Sequence, residues 1–403
     1  KCGVMKVQRE NVTMDEGLEL FRSHWPDRMK EERVPLTQAK GRILAEPQFA
    51  QSNIPLVRAA MMDGICVKSA LCPDGKPLSP DTWRCGEEYD FADTGDDFPD
   101  AYDAVVPIEQ VTLDASDRGV AFSDDLVIHP GMYVSPSGRV VREGQLLLPA
   151  PRKLSATDLA VLAIGNLEQV PVFRKPRVAF IPTGSELVPV GQPLERGQNV
   201  DCNSLMARAL LEDQGAEVVL SPIIRDDRDQ MRCALEAALT DNDLILINGG
   251  SSKGFEDQAL RLLDEQGDIL FHWSQCGPGR PTALASVAGK PVIVVPGPPY
   301  GCLNVLSWLV MPCLAYWLHL PEVPVHKIKV PVRGDVEGPR GIAFLLAAEL
   351  ERSEDGQLSA SLINFKKAGV PRCLAADGII RLTPGTPAWK DGDLIEVTLL
   401  REL

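Results

Sequence analysis

Four apolar segments between residues 177 and 317 each run into a polar or glycine-rich loop, and each loop leads into a helix-like stretch. The apolar segments are residues 178–181, 218–224, 244–247 and 292–295, and their loops are residues 182–186, 225–229, 248–254 and 296–299. Strands that alternate with helices predict an α/β domain with a parallel, doubly wound sheet covered on both faces. In such sheets ligands bind beyond the carboxyl ends of the strands. Since all four loops fall at that edge, we expect their amides, hydroxyls and carboxylates to converge on one crevice.

The charge balance of the chain restricts its partners. The 403 residues include 41 Lys and Arg against 56 Asp and Glu, which gives a net charge of -15. Nucleic acid binding needs a basic surface, so no nucleic acid partner is expected, and any anion site must be built locally. The ten cysteines form no Cys-x-x-Cys pair, and the closest group, Cys66, Cys72 and Cys85, fits no zinc pattern. We interpret the cysteines as reduced thiols of a cytoplasmic protein.

Two segments bear on membrane contact. Residues 1–10 lack the apolar core of a signal peptide. Residues 303–320 are largely apolar, but they contain Asn304, Pro312 and His319 and barely reach the roughly 20 residues of a membrane span. Because they follow a strand and a loop, we predict a buried helix that Pro312 bends or ends, and no membrane partner.

The order of helical and β-like patterns along the chain predicts an α/β multidomain protein. Helical patterns with N-caps at Thr13 and Ser155 flank a central stretch of short β-like segments and turns, which indicates an inserted domain. The tail alternates apolar and polar residues between turns, as in a small β barrel. The predicted domains are a discontinuous N-terminal linker domain (8–47 and 150–174), an inserted small β domain (48–149), the α/β domain (175–320) and a C-terminal β-barrel domain (321–403).

The loop at residues 248–254, Asn-Gly-Gly-Ser-Ser-Lys-Gly, is the best candidate for a phosphate-binding loop. Glycines let the backbone approach an oxyanion, serines add donors, and the helix that follows presents free amides with a positive dipole. The loop is not a Walker loop, because the Gly-Lys-Ser/Thr order is absent. A tight turn that needs glycine only for its geometry remains the alternative.

Acidic residues gather at the same predicted sheet edge. They are Glu186, Asp226, Asp227 and Asp257. Carboxylates around a bound anion are typical of sites that manage a divalent cation or oxyanion chemistry. The alternative for the aspartates is helix capping, since Asp226, Asp227 and Asp257 stand where helices begin.

Other polar residues carry weaker signals. Arg280 stands in a rigid turn where a guanidinium can clamp a phosphate or pair with a surface acid. Asp201 and Asn203 are expected to cap a helix, and Asp63 to occupy a turn. None of the five histidines has the spacing of a metal ligand or of a nucleophile's base.

With these pieces placed, nearly the whole chain resembles the molybdopterin molybdotransferases, the bacterial MoeA-type enzymes related to the E domain of gephyrin. The resemblance lies in a series of ordered matches: residues 53–67 with Met62-Asp63-Gly64, Thr94-Gly95, 103–106, 182–187, 201–203, 223–227, 249–254, 278–281, 296–297 and the tail at 369–400.

The resemblance implies an elongated four-domain homodimer with a cleft between the α/β domain of one subunit and the inserted domain of the other. It implies that molybdate is inserted into adenylylated molybdopterin, that AMP is released and that Mg²⁺ or another divalent cation takes part. Glu186, Asp226 and Asp257 would border the molybdate and hold the metal, and Asp63 would complete the catalytic set from the partner subunit. The residues implied in binding the pterin and phosphates are Thr94, Thr183, Gly184, Ser185, Gly249, Gly250, Ser251, Ser252, Lys253, Gly279, Arg280, Pro296 and Gly297.

Three motifs depart from the family pattern. The family's Lys-Pro-Gly-Lys-Pro is Gly-Pro-Gly-Arg-Pro at residues 277–281, and its Pro-Gly-Asn-Pro-x-Ser is Pro-Gly-Pro-Pro-Tyr-Gly at residues 296–301. An Arg-x-x-Gly-Glu-Asp stretch appears at residues 135–140 without its acidic pair. Lys253, a cation that the family usually lacks, is our candidate replacement for the lost lysine charge.

Three functions therefore stay open at the level of sequence. The first is molybdate insertion, or a variant that acts on tungstate or a related pterin, with a molybdopterin adenylyltransferase or a recipient molybdoenzyme as further partner. The second is a non-catalytic molybdopterin-binding or scaffold protein, which the lost charges favour. The third, an unrelated nucleotide-binding α/β protein, requires the matches in the inserted domain to be accidental.

Overall fold

The computed structural model describes residues 7–113, 119–249 and 255–401. These residues divide into two compact units. The first unit contains residues 7–31, 41–43 and 173–401, and the second contains residues 32–40 and 44–172.

The first unit is built on a central sheet, which has seven strands in the described part of the chain. In chain order they are β1 (Val7–Val12), β2 (Arg177–Pro182), β3 (Glu217–Leu220), β4 (Leu244–Gly249), β5 (Gly267–Ser274), β6 (Ala283–Val287) and β7 (Lys290–Pro296). Their order across the sheet is β1-β5-β6-β7-β4-β2-β3. The α/β class predicted from the sequence is therefore confirmed.

The prediction of a wholly parallel sheet was wrong at one strand. Strands β2, β3, β4 and β7 are parallel neighbours, and β1 is parallel to β5. Strand β6 is antiparallel to both of its neighbours, β5 and β7. It joins β7 by a tight turn at Ala288 and Gly289, both of which have positive φ, and a turn this short can connect only antiparallel strands.

Helices lie on both faces of this sheet. They are α1 (Met14–His24), α2 (Asn203–Asp213), α3 (Arg228–Asp241), α4 (Phe255–Gln266), α5 (Pro299–Val305) and α6 (Met311–Trp317). The strands between them are buried: Ile181, Ile245, Ile247 and Val292 are all fully enclosed and pack against Leu235 and Leu263 of the covering helices. The predicted N-cap of α1 is confirmed, because the Glu16 amide donates to Thr13 Oγ1 at 3.2 Å.

Residues 299–317 form one helical run with an irregular middle. Its length and composition would suffice to cross a membrane, but 83% of its apolar window is buried inside the protein. The prediction of a buried helix is confirmed. Pro312 neither ends it nor breaks it, since a π-helical turn at Leu306–Val310 precedes α6. Proline has no N–H to continue the α-helical ladder, and a widened turn accommodates that loss.

The tail of the chain forms a second sheet in the first unit. Its strands are Cys276–Gly277, Ala343–Arg352, Gly378–Leu382, Leu394–Leu399 and Lys327–Pro331 in that order, with Leu358–Leu362 paired to Ala343–Arg352. An isolated bridge joins Val332 to Ala360. The strands enclose a small apolar core that includes Val330, Ile380 and Val397. A short helix, Val370–Leu374, follows the strand Leu358–Leu362.

The second unit is rich in short strands. Three antiparallel strands, Tyr89–Ala92, Gly64–Val67 and Ala104–Pro107, form one of its sheets. The remaining strands are Glu31–Pro35, Ile43–Leu44, Gln48–Phe49, Ala59–Ala60, Val111–Leu113, Val120–Phe122, Val134–Ser135, Leu146–Leu148, Arg152–Lys153 and Gln169–Phe173. Single 3₁₀ turns lie at Leu36–Gln38, Ser69–Leu71, Pro73–Gly75, Pro80–Thr82 and Ile108–Gln110.

One helix of the second unit, Ala156–Ile164, was predicted with its cap. The Asp158 amide donates to Ser155 Oγ at 3.2 Å, and the Ser155 amide donates to Asp158 Oδ2 at 2.8 Å. This is the capping box expected from the sequence. The hydrogen bonds from Ser155 and Arg152 outweigh the effect of burial and lower the pKa of Asp158.

Candidate active site

Strand register brings three loop starts together at one edge of the central sheet. Pro182 at the end of β2 is opposite Asn248 in β4, and Gly249 is opposite Pro296 at the end of β7. The strands are parallel, so the residues that follow them leave the sheet at the same edge. The sequence predicted that the loops after β2, β4 and β7 converge, and the register shows that the ends of these three strands meet at one edge.

Asn248 is the centre of a buried hydrogen-bond network at this edge. Its carbonyl oxygen accepts from the amide of Thr183 at 3.0 Å and from Thr183 Oγ1 at 2.5 Å. Its side-chain Nδ2 donates to the carbonyl oxygens of Pro296 at 2.8 Å and Val295 at 3.2 Å. Asn248 and Thr183 are 2% and 1% exposed, so these bonds are shielded from water and hold β2, β4 and β7 in fixed relation.

Asn203, the first residue of α2, extends the network to a helix. Its Nδ2 donates to Asn248 Oδ1 at 2.9 Å and to the carbonyl oxygen of Gly297 at 2.8 Å. The capping role expected here belongs to Asp201, whose carboxylate accepts from the Ser204 amide at 3.1 Å and from Ser204 Oγ at 2.5 Å. Asn203 is therefore a bridging residue and not a cap.

A pocket of about 380 Å³ opens beside this network. Its polar wall contains Thr183, Glu186, Asn199, Asp201, Asn203 and Asn248, and its less polar wall contains Leu187, Val200, Cys202, Gly297, Pro298, Pro299 and Val370. We call it the switch pocket. Its volume falls within the range of about 300–1,000 Å³ that is usual for small-molecule sites. Partial burial raises the pKa of the Cys202 thiol, which therefore stays protonated and is a poor nucleophile near neutral pH.

The loop after β2 places Glu186 at the switch pocket. Gly184 has a φ of +144°, and a Cβ atom built on it would lie 2.7 Å from both carboxylate oxygens of Glu186. The carboxylate thus folds back over a glycine that leaves room for it. Two short parallel strands, Leu187–Val188 and Asn199–Val200, then return the chain to α2.

The acids after β3 have different partners. Asp226 faces the loop after β2: its Oδ2 accepts from the Ser185 amide at 3.3 Å, and its own amide donates to Ser185 Oγ at 3.0 Å. Asp227 is the N-cap of α3 and accepts from the Gln230 amide at 2.8 Å. The structure therefore separates a bridging acid from a capping acid, which the sequence left undivided.

The turn with Arg280 packs beside the central sheet. Gly279 has a φ of +111°, and a Cβ atom there would meet the carbonyl oxygen of Gly301 at 2.8 Å. The Arg280 guanidinium donates to the Ser274 carbonyl oxygen and to Asn11 Oδ1, both at 3.3 Å, and lies 5.4 Å from the ring centre of Trp273. Arg280 and Gly279 do not line the switch pocket.

Part of the predicted site lies outside the described residues. This applies to Gly250, Ser251, Ser252 and Lys253, and to the side chain of Asp257. The backbone of Asp257 belongs to α4, which begins at Phe255 directly after the glycine-rich stretch. Within the part of the chain that the structure describes, no group of three His, Cys, Asp or Glu side chains has the arrangement of a metal site.

Asp63 and Thr94 contact each other in the second unit. The Thr94 amide and Thr94 Oγ1 both donate to Asp63 Oδ1, at 2.7 and 2.6 Å. These bonds, the hydroxyl's first, lower the pKa of Asp63. The adjacent Gly64 is required because a Cβ atom would lie 1.9 Å from the Val106 carbonyl oxygen. Asp63 thus has an exposed carboxylate that Thr94 fixes by two hydrogen bonds, and it is not an ordinary turn residue.

Sequence reasoning missed several residues of the switch pocket. Val370 comes from the tail of the chain, and no local pattern connects it with the central sheet. Asn199 and Val200 form a two-residue strand in a segment whose sequence resembles an ordinary surface loop. Asn248 was included in the candidate phosphate loop, but its side-chain role was not foreseen. An amide at the last buried position of a parallel strand was the available signal, since a buried amide must find partners.

Comparisons with known proteins agree with this architecture. A family model described as "MoeA N-terminal region (domain I and II)" matches residues 12–164, and one described as "Probable molybdopterin binding domain" matches residues 179–316. Molybdopterin molybdenumtransferase 2 of Mycobacterium tuberculosis is 30% identical over 333 residues, which cover 76% of this chain and 80% of that protein. The chain belongs to the molybdopterin molybdenumtransferase family.

Other members of the molybdenumtransferase family align over most of the chain. The molybdopterin molybdenumtransferase of Haemophilus influenzae is 27% identical over 376 residues, or 88% of this chain and 90% of the relative. A crystal structure of the molybdopterin biosynthesis MoeA protein of Pyrococcus horikoshii superposes with a TM-score of 0.80 at 27% identity, covering 98% of this chain and all of that one. The resemblance inferred from the sequence is confirmed.

Proposed function

We propose that this chain acts in molybdenum cofactor biosynthesis as a transferase that inserts molybdate into adenylylated molybdopterin and releases AMP. The observation that carries the proposal is the switch pocket, in which the ends of β2, β4 and β7 meet the start of α2. Family membership supplies the reaction, and the pocket has the size and polarity for part of a pterin phosphate. The names of the relatives do not favour the non-catalytic alternative.

The residues around the pocket suggest how the substrate would be held. The glycine-rich stretch from Gly249 to Lys253 and the turn from Thr183 to Ser185 would hold the pterin and phosphate, together with Pro296 and Gly297. The hydroxyl proton of Thr183 is already donated to the Asn248 carbonyl oxygen. Thr183 would therefore act mainly by fixing the two strand ends.

The charge of the site argues for a cation. Glu186 and Asp201 are the ionisable carboxylates among the described lining residues, which include no Lys or Arg. Two like unit charges 4 Å apart near a protein surface repel by about 4 kcal/mol at an effective dielectric constant of about 20. A dianionic molybdate or phosphate would therefore bind poorly without Lys253 or a metal ion.

The donor set fits a divalent cation such as Mg²⁺. The Glu186 carboxylate has no hydrogen bond or ion pair among the described residues, and Asp226 is hydrogen-bonded to Ser185, the residue that precedes Glu186. Magnesium is usually held by one or two carboxylates together with water and substrate phosphates. We propose Glu186, Asp226 and Asp257 as its ligands, where it would neutralise negative charge on the substrates.

The homodimer is also part of the proposal. We propose that Asp63, held by Thr94, reaches the site of a second copy of the chain, so that each active site contains residues of both subunits. The four-domain layout with a C-terminal barrel, Gly279 and Arg280 as contributors to anion binding, and a cytoplasmic location belong to the same proposal. A molybdopterin adenylyltransferase or a recipient molybdoenzyme is proposed as partner.

A reconstituted assay tests this function. The purified chain is mixed with adenylylated molybdopterin, molybdate and Mg²⁺, and the release of AMP and the formation of molybdenum cofactor are followed. Turnover that depends on molybdate, and is lost in a Glu186→Gln variant, supports the proposal. Tight binding of the pterin with no AMP release supports the scaffold alternative. Replacing molybdate with tungstate measures the selectivity for the oxyanion.

A further inference from the structure

Asn203 and Asn248 form a closed amide network at the switch pocket. Both are buried, at 5% and 2% exposed. Each hydrogen of the Asn248 amide faces a carbonyl oxygen at the end of β7, and its oxygen faces Asn203 Nδ2. The second hydrogen of the Asn203 amide is used by Gly297. Since the fixed partners are carbonyl oxygens, the orientation of both amides is determined.

This network links four pieces of the site. The backbone oxygen of Asn248 binds Thr183 after β2, its side chain binds Pro296 in β7, and Asn203 ties Gly297 to the start of α2. Gly249, which opens the glycine-rich stretch, is the residue directly after Asn248. Two side chains that themselves line the pocket therefore tie the end of β4, from which Gly249 follows, to Gly297, and the backbone of Asn248 holds Thr183.

The amide is the side chain that this arrangement needs at position 248. An ionised carboxylate only accepts and would face two carbonyl oxygens, whereas a leucine of similar size offers neither donor nor acceptor. A serine hydroxyl donates a single hydrogen bond, one short of the two that Asn248 donates to Val295 and Pro296. Position 248 thus requires a planar side chain with two hydrogen-bond donors and one acceptor.

We propose that Asn203 and Asn248 are positioning residues for the reaction of this site, which set the separation of the loops that hold the substrate. The inference rests on the proposed molybdate insertion for its kinetic readout. Neither side chain transfers a proton or an electron. Their effect on rate arises because misplacing a reacting group by about 1 Å costs on the order of 100-fold.

Three variants test the role of Asn248. Asn248→Asp keeps the shape and loses the donors, and Asn248→Leu keeps the approximate size and loses all polarity. Asn242→Asp is the matched control, because Asn242 is also buried, at 5% exposed, and donates to a carbonyl oxygen, that of Ala238 at 2.9 Å. All three are assayed well below their melting temperatures, with rates expressed per folded molecule.

We expect both Asn248 variants to lose kcat, and we expect the size of the loss to depend on pH only in Asn248→Asp. At pH 8 we expect kcat for AMP release to fall at least about tenfold in Asn248→Asp and Asn248→Leu, with KM changed less than about threefold. A buried carboxyl has a raised pKa, and its protonated form donates one hydrogen bond to Pro296. The ratio of Asn248→Asp to wild-type kcat should therefore rise towards pH 6, while that of Asn248→Leu stays flat. Taking ratios cancels the pH effects that the wild type and the variants share.

A second readout needs no activity. The Thr183 amide donates to the backbone oxygen of Asn248, and the Asn248 side chain anchors that strand end to Val295 and Pro296. Losing the side-chain bonds should let the strand end open more often, so hydrogen–deuterium exchange in peptides containing Thr183 and Gly297 should be at least about tenfold faster in Asn248→Leu than in Asn242→Asp. An inactive wild type would refute the proposed function while exchange still tests the network. Asn248→Asp kcat within about twofold of the control at every pH, or unchanged exchange, would overturn the inference even in an active enzyme.

The partner residue gives an independent check. Asn203→Ala and Asn248→Ala should each reduce kcat, and the double variant should lose little more than the worse single variant, because both belong to one network. Fully multiplicative losses would show two unrelated residues and would contradict the proposal.

Discussion

Ser185 and Asp226 exchange two hydrogen bonds across the carboxyl edge of the central sheet, from the Ser185 amide to Asp226 Oδ2 and from the Asp226 amide to Ser185 Oγ. The pair ties the loop after β2 to the loop before α3. It also sets Asp226 beside the turn that carries Glu186. The neighbouring Asp227 faces its own helix instead. Two adjacent aspartates thus have separable roles.

The first prediction uses this neighbouring pair. Asp226→Ala should reduce AMP release at least about tenfold and change stability by no more than about 0.5 kcal/mol, because the one hydrogen bond it removes, from the Ser185 amide, is exposed. Asp227→Ala should lower the free energy of unfolding by about 1 kcal/mol through loss of the N-cap and leave AMP release intact. Urea titrations and the AMP assay measure both. Equal catalytic losses in the two variants would contradict the assignment.

The second prediction concerns the glycine beneath Glu186. Gly184→Ala places a methyl group 2.7 Å from both carboxylate oxygens, so the carboxylate must move and AMP release should fall as far as in Glu186→Gln. Gly191→Ala is the control, because Gly191 also has positive φ, at +86°, but has open space around it. Backbone strain alone costs about 1–3 kcal/mol in either variant. A catalytic loss shared by Gly191→Ala would assign the effect to strain.

The third prediction concerns the charge of Asp63. Thr94→Val removes the hydroxyl that donates to Asp63, so the pKa of Asp63 should rise towards its ordinary value of about 3.9. Thr94→Ser should leave the pKa low, since it keeps both donors. Carboxyl NMR resonances followed against pH measure the shift. An unchanged pKa in Thr94→Val would exclude the hydroxyl as its main cause.

The same low pKa fixes the sign of a pH effect on folding. A group whose pKa is lower in the folded state stabilises the fold fully above its unfolded pKa, near 3.9 for aspartate. That contribution disappears as the pH falls through the folded-state pKa. The difference in stability between wild type and Thr94→Val should therefore shrink below about pH 4.

The fourth prediction tests the shared active site. Asp63→Asn and Asp226→Asn homodimers should both be nearly inactive if each site draws on two subunits. When the two variants are dissociated and mixed in equal amounts, random pairing should make about half of the dimers heterodimers. Each heterodimer has one intact site of two, so the mixture should recover about a quarter of wild-type activity. No recovery, with heterodimers verified by mass, would place Asp63 and Asp226 in the same subunit's site or outside any site.

The fifth prediction compares two sources of positive charge. Arg280 already contacts Ser274, Asn11 and the Trp273 ring, so Arg280→Ala should weaken AMP binding less than about threefold. Lys253→Ala should weaken it at least about tenfold, since the described pocket lining contains no Lys or Arg. Calorimetry with AMP measures both. The reverse order would make Arg280 the anion clamp.

The four strand-and-loop pairs were predictable because their strands are continuous apolar runs. Strand β1 was missed because Val7–Val12 lies at the sheet edge and exposes most of its residues, so it lacks the alternation that marks a strand. Strand β5 was missed because it begins at Gly267 directly after α4, with no separate turn to signal it. Its pairing with β6 depends on contacts that form only in the folded sheet, and the composition of the segment does not reveal them.

The site was predictable in part. Glycines, acids and hydroxyls at strand ends identified the edge of the sheet, because that edge follows from parallel topology. The difference between Asp226 and Asp227 was not predictable, since both occupy positions that suit a cap. Val370 and Asn203 reach the pocket by long-range packing, so their role depends on the completed fold.

The short strand Cys276–Gly277 has a practical consequence for dissecting this protein. It hydrogen-bonds to Ala343–Arg352, and the buried Tyr300 hydroxyl donates to the Leu345 carbonyl oxygen at 3.0 Å. A fragment that ends at residues 321–324 would leave the strand Cys276–Gly277 without its partner and the Tyr300 hydroxyl without its acceptor. We therefore expect this fragment to aggregate on expression. Chimeras that graft a homologue's tail onto this chain should carry the matching 276–300 segment with it.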